Sequence, residues 1–149
     1  PSEATEVMIT VQELLVNKPA GVVTTTPETS VYDALASMAE HEIGALPVLE
    51  GGRLVGLLSE RDYARGVVLR GRSSREMSVG ELMTSAVVVE RRHSIEHCMT
   101  LMTEHRVRHL PVVENDVLIG IVTIGDVVKE IISHQALVID ELEHYIRGV

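Results

Sequence analysis

Apolar positions in this chain change period from segment to segment, and the changes mark its elements. Val31, Ala34, Leu35 and Met38 keep the spacing of one helical face, so a helix is expected from its N-cap Ser30 to His41, and a second from Ser94 to His105. Leu46 to Leu49 and Leu54 to Leu58 read as short strands. Glu50-Gly51-Gly52-Arg53 joins them and supplies glycine where a tight hairpin needs positive φ; Glu114-Asn115-Asp116-Val117 takes that place later. Short β-rich runs, Val22 to Thr25 and Val87 to Val89, precede the helices, and further helices are expected to start at Glu60 and Ile124. The order β-α-β-β-α is thus written twice.

The two copies match residue for residue. Val22 to Gly66 aligns without a gap on Ala86 to Glu130 at an offset of 64, with 12 identities in 45 positions. Leu46-Pro47-Val48 recurs as Leu110-Pro111-Val112, Gly56 as Gly120 and Asp62 as Asp126. Such a period signals a duplicated supersecondary unit. Each unit is too small to bury its own apolar face, so the two are expected to pack as a pseudo-twofold α/β sandwich with paired clefts. The units are read as 10–72 and 73–130. Outside the strict repeat, Val11-Gln12-Glu13-Leu14 resembles Val79-Gly80-Glu81-Leu82 at an offset of 68, the shift arising from a longer loop at Asn17 to Gly21. Past the repeat, Val127, Val128, Ile131, Ile132, Val138, Ile139, Leu142, Tyr145 and Ile146 carry an apolar stripe into residues 131–149. A stripe longer than its own core needs implies a second copy, and a homodimer is expected; the alternative is a tail folded back as extra core.

Composition narrows the function. At 149 residues the chain is one domain's worth of material, burying roughly 70% of its unfolded surface. Hydrophobic residues make up 45% but aromatics only 2%, with no Phe or Trp, so the core must be built from Val, Ile, Leu, Met and Ala. Platforms for base stacking are lacking, and a formal charge of -9 repels phosphate backbones, so no nucleic acid partner is expected. The charge is uneven: Arg61 to His109 holds nine arginines against six acids. Arg65, Arg70, Arg72 and Arg75 cluster there, as a local anion site or as solvated linker residues. Cys98 is the sole cysteine and replaces Ala34 of the other copy, so it reads as core in a reducing compartment. No apolar run approaches the about 18 residues of a membrane span, and no signal peptide is evident. The chain reads as cytoplasmic, with Pro1 a trimmed or engineered start and ends that favour a free-standing module.

Gly56 to Asp62 and Gly120 to Asp126 share the form G-h-h-[ST]-x-x-D, where h is aliphatic, at a strand-to-helix junction. Free amides at a helix start attract phosphate, a hydroxyl there can bond a phosphate oxygen, and a carboxylate one turn on can accept both hydroxyls of a ribose. The same spacing is also a capping box that closes a helix for structural reasons alone, and Thr10 with Glu13, Ser30 with Asp33 and Ser78 with Glu81 repeat it.

Together with Ile43-Gly44-Ala45-Leu46-Pro47-Val48 and Val107-Arg108-His109-Leu110-Pro111-Val112, these motifs resemble a tandem pair of CBS (cystathionine β-synthase) domains, a Bateman module, from about Thr10 to Lys129. The resemblance implies a non-catalytic regulatory module whose two clefts bind AMP, ADP, ATP or NAD(H), or in some members S-adenosylmethionine, as an energy or redox sensor in signal transduction. It implies crosswise sites. Site A joins Thr123, Gly125 and Asp126 to Ala20, Val22, Ile43, Gly44 and Ala45, with Asp126 on the ribose and Thr123 near phosphate. Site B joins Ser59, Arg61 and Asp62 to Thr84, Ala86, Val107, Arg108 and His109. Site B gathers Arg61, Arg108 and His109 where site A has Gly125, Gly44 and Ala45. Site B is therefore expected to prefer more phosphate charge.

Other constellations weigh less. His93 and His97, and His105 and His109, lie four apart, but no third metal ligand is evident and no metal is expected. No nucleophile–base pair can be placed, so no turnover and no catalytic cofactor are expected. The alternative function is an interaction module with vestigial clefts that regulates an unidentified partner through its helical faces.

Overall fold

A computed structural model describes residues 9–19, 21–68 and 71–146, apart from the side chains at 68, 136–138, 141, 145 and 146. Ala20 and Arg70 lie outside the described residues, as do the side chains of Val138, Tyr145 and Ile146. The elements run α1 (Val11–Val16), α2 (Val31–His41), β1 (Ala45–Glu50), β2 (Arg53–Ser59), α3 (Glu60–Tyr63), α4 (Val79–Leu82), α5 (Ile95–His105), β3 (His109–Glu114), β4 (Val117–Thr123) and α6 (Ile124–Ile146).

The helices α2 and α5 start and stop where the pattern places them. Ser30 Oγ accepts from the Asp33 amide at 3.0 Å and Ser94 Oγ from the His97 amide at 3.1 Å, closing each N-terminus. At the other end Glu42 and Arg106 take the left-handed conformation, at φ 54° and 55°. The Ile43 and Val107 amides then fold back on the carbonyls of Met38 and Met102. Both hairpins close through two positive-φ residues, Gly51 and Gly52 in one, Asn115 and Asp116 in the other. Their registers are identical, with Val48 opposite Gly56 and Val112 opposite Gly120, and each has a bulge one residue later.

The leading β-runs differ from expectation. Only Thr25 and Val89 pair, each as a single parallel bridge to Val48 or Val112. Thr25 donates to the Pro47 carbonyl and accepts from the Leu49 amide. The next rung upstream needs an amide hydrogen from Pro47, which has none, and Pro111 ends the second ladder in the same way.

The two cores exchange their lids. Ile9, Val11 and Leu14, from the N-terminal segment, are buried with Val89, Ile95, Cys98, Met102, Leu110, Val112, Val122 and Val127 of the second repeat. Val79 of α4 is buried with Ala34, Met38, Leu46, Val48 and Leu58 of the first. Backbone bonds fix the exchange, from Val11 to the His93 carbonyl and from Val79 to the Thr29 carbonyl. The buried cores are aliphatic, as composition requires.

The symmetry breaks after the second strand of each hairpin. α3 gives way to a π-helical turn at Ala64–Val68, which sets Val67 against Val31 and Met77. A Cβ at Gly66 would overlap Leu82 Cδ1, so that side chain would have to turn aside. α6 instead continues for 23 residues, about 34 Å. Its near side buries Val127 and packs Ile131, while Ile124, Val128, Ile132, Ile139 and Leu142 are exposed.

Cys98 is fully buried, and its burial together with Glu96 pushes the thiol up to about 11. A thiol so placed is inert. We expect a thiol reagent at neutral pH to label the protein at its opening rate and with a full equivalent only after denaturation; rapid stoichiometric labelling of the native protein would contradict this.

Candidate functional site

Both G-h-h-[ST]-x-x-D junctions fold as capping boxes. The Ser59 amide and hydroxyl donate to Asp62 Oδ2 at 2.9 and 3.0 Å, and the Asp62 amide returns to Ser59 Oγ at 3.3 Å. The Thr123 amide donates to Asp126 Oδ2 at 2.9 Å, and the Asp126 amide donates to Thr123 Oγ1 at 3.1 Å. Capping therefore engages one carboxylate oxygen of each residue. Among the described residues no donor reaches Oδ1 of either, so a further donor there need not displace the cap.

Of the residues assigned to site B, Arg61 crosses to the other repeat and donates from Nη1 to the Arg106 carbonyl at 2.9 Å, beside Val107 and Arg108. Thr84 exchanges both backbone bonds with Leu57, two residues before Ser59, so it extends β2 of the first repeat. Ser59, Arg61, Asp62, Thr84, Val107 and Arg108 are thus gathered from both repeats. Ala86 is half-buried, three residues ahead of Val89.

His109 faces the other cleft. It stands opposite Thr123 in the β3–β4 register, and its ring approaches Gly44, whose Cβ position lies 3.6 Å from Cε1. Burial, then Lys18 and Arg108, push its imidazole below the ordinary value, so the ring is neutral at pH 7. Around site A, then, Thr123 and Asp126 of the second repeat meet Gly44 of the first through His109. Ala45 is buried opposite Ser59, Val22 is half-buried, and Gly125 is exposed in the first turn of α6. Ile43 and Gly44 also line a depression of about 520 Å³ with Leu35, Met38, Glu60 and Tyr63. Gly125 borders another of about 550 Å³ on the outer face of α6. Neither depression joins the two halves of a crosswise site.

Sequence reasoning missed Lys18. Its Nζ lies 2.7 Å from Asp126 Oδ2 and 2.6 Å from the Ile121 carbonyl. The only signal for it was the four extra residues of its loop. Burial pushes the Asp126 carboxyl up, but the Lys18 ammonium and the Thr123 amide and hydroxyl outweigh it and hold the group below the usual carboxylate range. The linker arginines behave as surface groups where described: Arg75 stacks on Tyr32 at 4.1 Å and Arg72 lies 3.9 Å from Glu81. The His93 and His97 rings stack at 4.4 Å, and His93 Nδ1 accepts from the Glu90 amide. His105 ends α5 while His109 opens β3. Among the described residues no three His, Cys, Asp or Glu are grouped to hold a metal.

This duplicated α/β unit with crossed junctions is the architecture of a CBS pair. The CBS domain model matches twice, at residues 8–68 and 79–133, and the chain belongs to the CBS-domain family. A solved structure of a protein with CBS domains from Burkholderia ambifaria is 48% identical, with a TM-score of 0.82 over 85% of this chain and 96% of that one. The mitochondrial CBS domain-containing protein CBSX3 of Arabidopsis thaliana is 39% identical over 129 residues; the match spans 83% of this chain and 63% of that relative's length. A hypoxic response protein I solved with two coordinated zinc ions is 33% identical, with a TM-score of 0.69 over 83% of this chain and 99% of its own. The chain is a CBS-pair regulatory module. None of its described helices is long and apolar enough to cross a membrane.

Proposed function

We infer that this module binds adenine nucleotides (AMP, ADP, ATP or NAD(H)) in clefts between its repeats and reports their occupancy to a regulated protein as an energy or redox signal. The observation that carries this reading is the division of labour on Asp62 and Asp126: Oδ2 closes the helix, and Oδ1 stays open to a ribose hydroxyl at a helix N-terminus. No catalytic step or catalytic cofactor is part of the reading. The exposed stripe Ile124, Val128, Ile132, Ile139 and Leu142 suits a homodimer built on α6, and the buried thiol suits the cytoplasm. Sensing further requires that nucleotide bind two conformations unequally.

Isothermal titration with AMP, ATP and NADH tests the reading. Asp62→Ala and Asp126→Ala are each expected to abolish one site with the fold kept, at a stability cost of about 1 kcal/mol for the lost cap. No heat for any nucleotide at up to about millimolar concentration would sink the nucleotide reading. Unchanged binding in both variants would sink the crosswise assignment. The α6 stripe favours a second reading, a module with vestigial clefts that engages its partner by helical faces. Thermal melting separates the two, since a ligand at about 100 times its Kd adds about 2.7 kcal/mol to stability and the second reading expects no shift.

A further inference from the structure

The two ribose carboxylates are not in the same state. Asp62 is bonded within its own capping box. Asp126 holds, on the oxygen that already accepts from the Thr123 amide, the ammonium of Lys18 at 2.7 Å. The same ammonium donates to the Ile121 carbonyl at 2.6 Å. Ile121 is the counterpart of Leu57, whose carbonyl accepts from the Thr84 amide at 3.0 Å and lies 3.4 Å from Thr84 Oγ1. A side-chain cation in one repeat thus stands where the other uses main chain and a hydroxyl. Lys18 belongs to the loop that is four residues longer in the first copy, so the second copy supplies nothing equivalent. Lys18 and Asp126 are only 27% and 25% exposed, so the pair is partly withdrawn from water.

We propose that Lys18 is a specificity-determining residue of site A: it occupies Asp126 as an internal ligand until a nucleotide displaces it, and it then pairs with the phosphate of that nucleotide. This rests on the nucleotide reading above. The chemistry follows from charge. Oδ2 of each carboxylate already accepts two bonds, but at Asp126 one of the two donors is the Lys18 ammonium, which balances the negative charge that would otherwise strengthen the hydrogen bonds of a vicinal diol. The ribose therefore competes with the ammonium. A lysine suits this role, because its charge is compact and its four-carbon stem swings freely, whereas an arginine fork would be held in one plane. The freed ammonium remains beside the N-terminus of α6 and Thr123 Oγ1, where a phosphate is attracted. A ligand with phosphate restores the lost ion pair. A bare nucleoside leaves a partly buried ammonium without its counter-charge. Site A accordingly selects nucleoside phosphates over nucleosides by exchange of one ion pair, and site B lacks the device.

The experiment is a titration of the Asp62→Ala protein, in which only site A remains, with adenosine, AMP and ATP, with and without Lys18→Met. With Lys18 present, ATP is expected to bind at least about tenfold more tightly than adenosine; in Lys18→Met adenosine tightens, ATP weakens and the ratio falls towards one. Lys18→Gln, which keeps polarity without charge, gives the same result if the methionine variant misfolds. Adenosine bound only by the Lys18 variants also supports the proposal. Equal ratios with and without Lys18 overturn it while leaving the nucleotide reading intact. Absence of binding in every protein overturns both. Asp126→Ala, which retains site B, should show the same ligand preference whichever residue stands at 18.

Discussion

Truncating Leu14 to alanine is expected to lower the stability of the whole module by about 2–5 kcal/mol, although the residue lies in a six-residue helix near the start of the chain. Leu14 is 4% exposed, and the buried cluster it belongs to is that of the second repeat, with Leu110, Val112, Val122 and Val127 among its members. Removing its branched end leaves a cavity in a core where strand and helix residues cannot close up without shifting β4. Double-mutant cycles in chemical denaturation locate the effect. Leu14→Ala with Val122→Ala should be coupled, because both belong to one buried cluster, whereas Leu14→Ala with Leu46→Ala should add. A loss under about 1 kcal/mol, or coupling to Leu46 in place of Val122, would contradict the exchanged packing.

Gly56→Ala and Gly120→Ala should differ sharply, though the two glycines hold equivalent places in the repeat. A Cβ on Gly56 meets Met83 Sδ at 2.8 Å and the Thr84 carbonyl oxygen at 2.9 Å. That oxygen accepts from the Leu57 amide and cannot retreat without breaking the pairing of Thr84 to β2. A Cβ on Gly120 meets Leu15 Cδ2 at 2.6 Å, the free end of a side chain that can turn aside. The expected costs are about 1–3 kcal/mol at Gly56 and under about 1 kcal/mol at Gly120, read from denaturant midpoints. Because Thr84 is among the residues proposed for site B, Gly56→Ala should also weaken nucleotide binding there and spare site A. Equal costs at the two glycines would mean that the Met83–Thr84 segment yields as easily as Leu15.

Much of this was legible because it is local. Ser30 and Ser94 announce α2 and α5, and the paired turn residues at 51–52 and 115–116 announce the hairpins, since capping and positive φ depend on residues a few positions apart. The junction motifs were readable as chemistry for the same reason: a hydroxyl and a carboxylate three positions apart meet at any helix start. Their double meaning was not resolvable without atoms, because only coordinates show that one carboxylate oxygen caps while the other is left over.

By itself the sequence determined the repeat, the two hairpins, the helices α2 and α5 and the starts of α3 and α6, all of them consequences of period and of backbone preference within one unit. Only the tertiary structure decided that α1 closes the second core and α4 the first, that Pro47 and Pro111 cut the leading strands to single bridges, that His109 turns towards site A, and that Lys18 reaches Asp126 across 108 positions. Those outcomes depend on which apolar face finds which partner and on where a long side chain comes to rest. Contacts between distant residues are set by the packing of the two units against each other, and no pattern within either unit encodes them alone.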